Sequence, residues 1–203
     1  MMPMFLSMLM LGTAYSYINS TMAVAYDYTN KRTWFNVTAV ELSPLIPKPV
    51  KSEYTIINDY VKGIQYMFHN SQCDKQSIGS LQRQCIPDSA LRLTYGFIGF
   101  NETNTATFQY VVPDSPYTAA VTIEPRSCTP AYAVFMTNSV VPDSGTLNSL
   151  LVSDVTPGIK GASIFMPPKI CSDGHDIETP QERRMRRLLH RFTLTFPFYI
   201  RPN

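Results

Sequence analysis

The stretch Gly63-Ile64-Gln65-Tyr66-Met67-Phe68-His69-Asn70 alternates in a way that decides the fold. Ile64, Tyr66 and Phe68 fall on one side and Gln65, Met67 and His69 on the other, the period of two that a strand requires. At least one side of such a strand must be covered. The run before it, Glu53 to Tyr60 (EYTIINDY), is also β-rich, and Val61-Lys62 between them reads as a hairpin turn. Upstream, Met22 to Thr29 and Arg32 to Val40 repeat the arrangement around Asn30-Lys31. Downstream, the polar run 71–90 holds Cys73, Cys85 and Pro87 without alternation, so it reads as a crossing loop. Short β-rich runs follow at 91–100, 105–112, 118–124, 132–137, 147–155 and 162–165, each bounded by Pro, Gly, Asn or Asp. Sixteen prolines forbid long helices over most of the chain. The expectation is a mainly β domain, an antiparallel sandwich or half-barrel.

The two ends read differently. Residues 1–16 contain an apolar run from Met4 to Leu11 followed by Ala14-Tyr15-Ser16, which resembles a secretory leader and is too short for a membrane-spanning helix. The β domain then occupies 17–177. From 178 the sequence turns basic: Thr179 is an N-cap candidate with Pro180 after it, and Met185, Leu188, Leu189 and Phe192 make an apolar stripe. A short C-terminal helix over 178–203 is expected. Its Arg184-Met185-Arg186-Arg187 has the form that secretory convertases cut. Sequons at Asn19, Asn36 and Asn101, with an even four cysteines, point to a secreted, extracellular glycoprotein. A net charge of +2, concentrated near the C-terminus, argues against nucleic acid as a partner.

Catalytic signatures are missing. Histidine occurs only at positions 69, 175 and 190, without metal-ligand spacing, and there is no nucleophile elbow, phosphate loop or dinucleotide fingerprint. The expectation is therefore not an enzyme and no certain cofactor. One acidic cluster, Asp173-Gly174-His175-Asp176, offers oxygen ligands for calcium but lacks the spacing of an EF-hand loop.

Several short motifs, in order, resemble the ependymin-related proteins. Phe165-Met166-Pro167-Pro168-Lys169-Ile170-Cys171 is similar to the F-x-P-P-x-x-C element that closes that family's domain. Ala25-Tyr26-Asp27-Tyr28 with Asn30-Lys31-Arg32 resembles its S-Y-D segment and basic turn. The stretches Gly63 to Cys73, Cys85 to Ala90 and Arg126 to Pro130 resemble three further elements, so the likeness runs from about Met22 to Cys171. It implies two stacked antiparallel sheets forming a curved half-barrel around an apolar pocket, similar to bacterial lipoprotein carriers. It also implies a homodimer and a link to calcium. Four cysteines allow three pairings; the resemblance implies Cys73 with Cys171 and Cys85 with Cys128. The segment before Ala25 is shorter than the family's, and the basic tail has no counterpart there.

The functional expectation is a secreted glycoprotein that holds a fatty acid or other lipid between its sheets. Candidates for the pocket wall are Tyr66, Phe68, Phe97, Phe108, Tyr110, Val121 and Ile123, aromatic or β-branched residues on alternating runs. The alternative is a calcium-dependent matrix or cell-adhesion glycoprotein in which extracellular matrix is the partner and no lipid is carried.

Overall fold

A computed structural model describes residues 3–11, 17–42, 48–81, 86–99, 103–112, 117–137, 145–159 and 161–172. These residues form eleven strands: β1 (Pro3–Leu11), β2 (Tyr17–Asp27), β3 (Arg32–Leu42), β4 (Val50–Asp59), β5 (Ile64–His69), β6 (Gln72–Ser77), β7 (Leu91–Ile98), β8 (Thr103–Val111), β9 (Tyr117–Glu124), β10 (Thr129–Thr137) and β11 (Gly145–Leu151). Two 3-10 turns, Ala162–Phe165 and Lys169–Ser172, follow. All neighbouring strands are antiparallel, in the order β6-β5-β4-β3-β2-β1-β11-β10-β9-β8-β7. The chain meanders outward from β1 to β6, crosses to the far edge, and meanders back from β7 until β11 pairs with β1.

That crossing favours curvature. Laid flat, eleven strands span about 48 Å from edge to edge. The link from Ser77 to Leu91 reaches at most about 50 Å when fully extended, and a turn in which Ala90 N–H donates to the Pro87 carbonyl at 3.0 Å shortens it. A link this close to the flat span favours a curved sheet over a flat one. The result is an unclosed half-barrel, two five-stranded antiparallel wings (β2–β6 and β7–β11) joined through β1, as the alternation in the sequence leads one to expect. The apolar run Met4 to Leu11 lies within β1. One buried cluster draws on both wings: Met22, Phe35, Val37, Ile56 and Met67 from the first, and Tyr110, Ala119, Val121, Phe135 and Leu150 from the second.

Two local expectations are corrected. Gln72–Ser77 lies in the segment read as a loop, yet it pairs with β5 through a turn whose residues Asn70 (φ 45°) and Ser71 (φ 63°) are both left-handed, the geometry of a two-residue hairpin. Residues 162–165, read as a strand, form a 3-10 turn instead, because Met166 N–H closes on the Ser163 carbonyl at 3.0 Å and no neighbouring strand pairs with them. The C-terminal helix expected over 178–203, with Arg184 to Arg187, lies outside the described residues.

Polar side chains fix the hairpins. Asp59 accepts from Val61 N–H (3.1 Å) and Lys62 N–H (3.0 Å) and from Lys62 Nζ (3.1 Å), which sets the turn before left-handed Gly63 (φ 67°). In the β2–β3 turn, Asp27 is buried and accepts from Asn30 N–H (3.1 Å), from Asn30 Nδ2 (2.8 Å) and from Arg32 Nη2 (2.7 Å). Arg32 then lies over the Phe165 ring, 4.7 Å from its centroid, so the turn also grips the C-terminal segment. Burial alone would raise the Asp27 carboxyl, but the Asn30 and Arg32 hydrogen bonds outweigh it and hold the group below its ordinary range.

A depressed carboxyl stabilises the fold above its unfolded value and loses that contribution as pH falls through its folded value. Asp27→Asn is therefore expected to cost about 1–2 kcal/mol near neutrality, with the deficit against the parent shrinking below about pH 4. Urea midpoints compared from pH 6 to pH 2 test this. A deficit constant over that range would refute it.

Candidate functional site

Strands β3, β4 and β5 carry buried residues on both faces, which is why alternation alone could not say which one lines the half-barrel. On β3, Phe35, Val37 and Ala39 are fully buried on the concave side and belong to the cluster shared with the second wing. Trp34 points the other way. It packs with Ile57, Tyr66, Phe165 and the Cys73–Cys171 pair in a second cluster on the convex side. The Phe165-Met166-Pro167-Pro168-Lys169-Ile170-Cys171 segment lies over that convex face as a strap. Phe165 anchors one end beneath Arg32, and Cys171, whose N–H donates to the Pro168 carbonyl (2.9 Å), bonds to Cys73 on β6 with Cα atoms 5.0 Å apart.

The seven pocket-wall candidates divide accordingly. Tyr110, Val121 and Ile123 are buried in the concave cluster, and Phe108 packs partly buried against it. Tyr66 and Phe68 are not on that face: they share the convex cluster with the strap, since Met67 between them takes the concave side. Phe97 lines nothing; it is 64% exposed on edge strand β7. Residues the sequence reading passed over, among them Phe35, Tyr54, Met67 and Phe135, make up much of the concave face. Their parity within each strand was the signal available.

The concave face is not purely apolar. At one end, registered neighbours Thr33, Asn58, Gln65 and Gln76 form a polar rung across β3, β4, β5 and β6. Gln65 Nε2 donates to Asn58 Oδ1 (2.7 Å), Gln76 Nε2 donates to Gln65 Oε1, and Asn58 Nδ2 donates to the Tyr60 hydroxyl (3.3 Å). Burial pushes the Tyr60 hydroxyl up, while hydrogen bonds with Thr33 and Asn58 pull against it. Thr33, Asn58 and Gln65 are all buried, and the amides of this rung pair with one another at this end of the concave face.

A second polar row stands four alternate positions further along β3, about 27 Å away at strand rise. There Glu41 is buried opposite Ile18, Ile18 pairs with Met8, and Met8 pairs with Asn148. The row continues through Phe135 and Ala119 to Tyr110. Tyr110 Oη and Asn148 Oδ1 are buried with no hydrogen-bond partner. Burial alone pushes the Tyr110 hydroxyl well above its ordinary value, so it keeps its proton.

No family model and no curated protein matches this chain.

The remaining expected sites distribute as follows. Cys128 is disulfide-bonded in a left-handed conformation (φ 55°) after a turn held by Glu124, which accepts from Arg126 and Ser127 N–H groups; its expected partner Cys85 lies outside the described residues. Asn19 and Asn36 are exposed on strands β2 and β3, and Asn101 lies outside the described residues. So does the acidic cluster Asp173 to Asp176; among the described residues no group of three or more His, Cys, Asp or Glu is placed to hold a metal ion. Among the described residues, too, no helix is long and apolar enough to cross a membrane.

Proposed function

We propose that this chain is a secreted, ependymin-related glycoprotein that holds an apolar ligand, a lipid or lipid-like molecule, in the trough between its two wings. The observation that carries this reading is the concave face itself: a broad, buried apolar cluster drawn from both wings of an unclosed sheet, with Tyr110 Oη and Asn148 Oδ1 buried in it without a partner. Interiors built only for stability pair such atoms, whereas binding sites combine an apolar wall with a few polar groups that orient a ligand. Burial of a long chain at about 25 cal/mol per Å² is ample for micromolar affinity. The ordered motifs that resemble the ependymin-related proteins support the same reading.

The test is organic extraction and mass spectrometry of protein purified from secreting cells under non-denaturing conditions. One apolar species per chain, absent from a Val121→Trp variant that fills the trough, is expected. An extract with nothing above background from folded protein would end the reading. A second reading, the matrix glycoprotein, draws on the exposure of Asn19 and Asn36, where glycans would project from the convex side. It requires calcium-dependent binding to collagen or cells by protein free of lipid.

A further inference from the structure

The row that ends in Tyr110 says more about the ligand than that it is apolar. Two of its polar atoms lack a partner, and they are of opposite kinds: Tyr110 Oη has a proton to donate, and Asn148 Oδ1 can only accept. Both side chains are more than nine-tenths buried, at 6% and 4% exposure, so neither is satisfied by bulk water. They occupy one lateral row of the concave face, through the registered pairs Tyr110–Ala119, Ala119–Phe135 and Phe135–Asn148. Leaving each unpaired carries a desolvation cost that a polar group bound on the same face would offset.

The charges near that face narrow the chemistry. Glu41 stands in the same lateral row, three registered pairs from Asn148, and a carboxylate carried into that buried row would itself bear the desolvation cost of a charge. Among the described residues, the basic groups that border the concave side are at its rims. Arg92, opposite Phe108 on edge strand β7, is exposed and engaged with Tyr95, Nη1 to Oη at 2.6 Å. His69 stacks on Tyr54 with centroids 4.5 Å apart and hydrogen-bonds through its ring nitrogens to Glu53 and Asn70. A carboxylate also has no proton for Asn148 Oδ1, whereas a hydroxyl group both donates and accepts.

We infer that the ligand of the concave face is an uncharged amphipath, an apolar body ending in a hydroxyl-bearing group that meets Tyr110 and Asn148, rather than a free fatty acid. This rests on the apolar-ligand reading above and specifies its chemical class.

The experiment compares dodecanol, dodecanoate and dodecane, delivered from cyclodextrin to the delipidated full-length chain at pH 8 and measured by calorimetry. Dodecanol is expected to bind at least tenfold more tightly than dodecanoate, a margin of one hydrogen bond to a buried group. Tyr110→Phe and Asn148→Leu are each expected to bring dodecanol to within about threefold of dodecane. Both variants should keep the parent melting temperature or raise it without ligand, because each removes a buried unpaired polar atom. Dodecanoate binding as tightly as dodecanol overturns the inference, as does either variant that folds and retains the parent's preference. A fall in ligand-free melting temperature for Tyr110→Phe also overturns it, since the hydroxyl would then serve the fold. If dodecane and dodecanol both fail to bind folded protein, the apolar-ligand reading falls and this inference with it.

Discussion

Replacing Cys73 and Cys171 together with serine is expected to remove about 4–5 kcal/mol of stability. The bridge joins residues 98 apart in sequence, and closing a loop of that length in the unfolded chain is worth this much in the chain-entropy model. Against a typical total of about 5–15 kcal/mol, the loss brings the domain near the edge of folding. The bridge also ties the 3-10 strap to β6, so its removal frees Phe165 and Ile164 from Trp34, Ile57 and Tyr66 on the convex face. Urea unfolding followed by Trp34 fluorescence measures the total, and amide exchange separates the parts. The Met166 and Cys171 amides, bonded to the Ser163 and Pro168 carbonyls, should lose protection before those of β3 and β4. A midpoint shift worth less than about 1 kcal/mol would mean that strap and turn contacts alone hold the convex face.

The strap shows what the sequence could and could not reveal. Alternation in Gly63 to Asn70 correctly separated Ile64, Tyr66 and Phe68 from Met67, because a strand's geometry fixes that split wherever it sits. It could not say which set faces the trough. A strand covered by one layer presents its larger apolar residues inward, but here a second layer, the Phe165 to Cys171 segment, buries the other set as well. Strand β6 was hidden for a different reason. An edge strand needs to bury little, and in Gln72–Ser77 only Cys73 is buried, so no apolar period exists to be read. Phe97 misled in the opposite direction: β7 is exposed along its whole length, and its aromatic content marks an edge rather than a core. Tyr110 was legible as a buried position; that its hydroxyl would find no partner depends on what the rest of the shared cluster places beside it. Glu41 and Asn148 were visible as polar residues at apolar parity, a violation of pattern of the kind that binding sites produce.

The contrast between two phenylalanines turns this difference into a measurement. Phe35 is fully buried at the middle of β3, registered between Val24 and Ile56 within the cluster that both wings share. Phe35→Ala is expected to cost about 3–5 kcal/mol, from lost transfer energy and from the cavity left in a surface that cannot collapse around it. For a domain of this size that is a fall in melting temperature of roughly 10 °C. Phe97→Ala, on exposed β7, should change stability by no more than about 0.5 kcal/mol, although the two runs look equally apolar in sequence. Because the shared cluster couples the wings, the Phe35→Ala loss should register equally in both. Trp34 fluorescence reports the first wing, and the near-ultraviolet dichroism of the buried tyrosines Tyr110 and Tyr117 adds the second. The two signals should move together in a single transition. Separate transitions, with the tyrosine signal unmoved by Phe35→Ala, would make the wings independent sheets. The trough between them would then be a gap rather than one built surface.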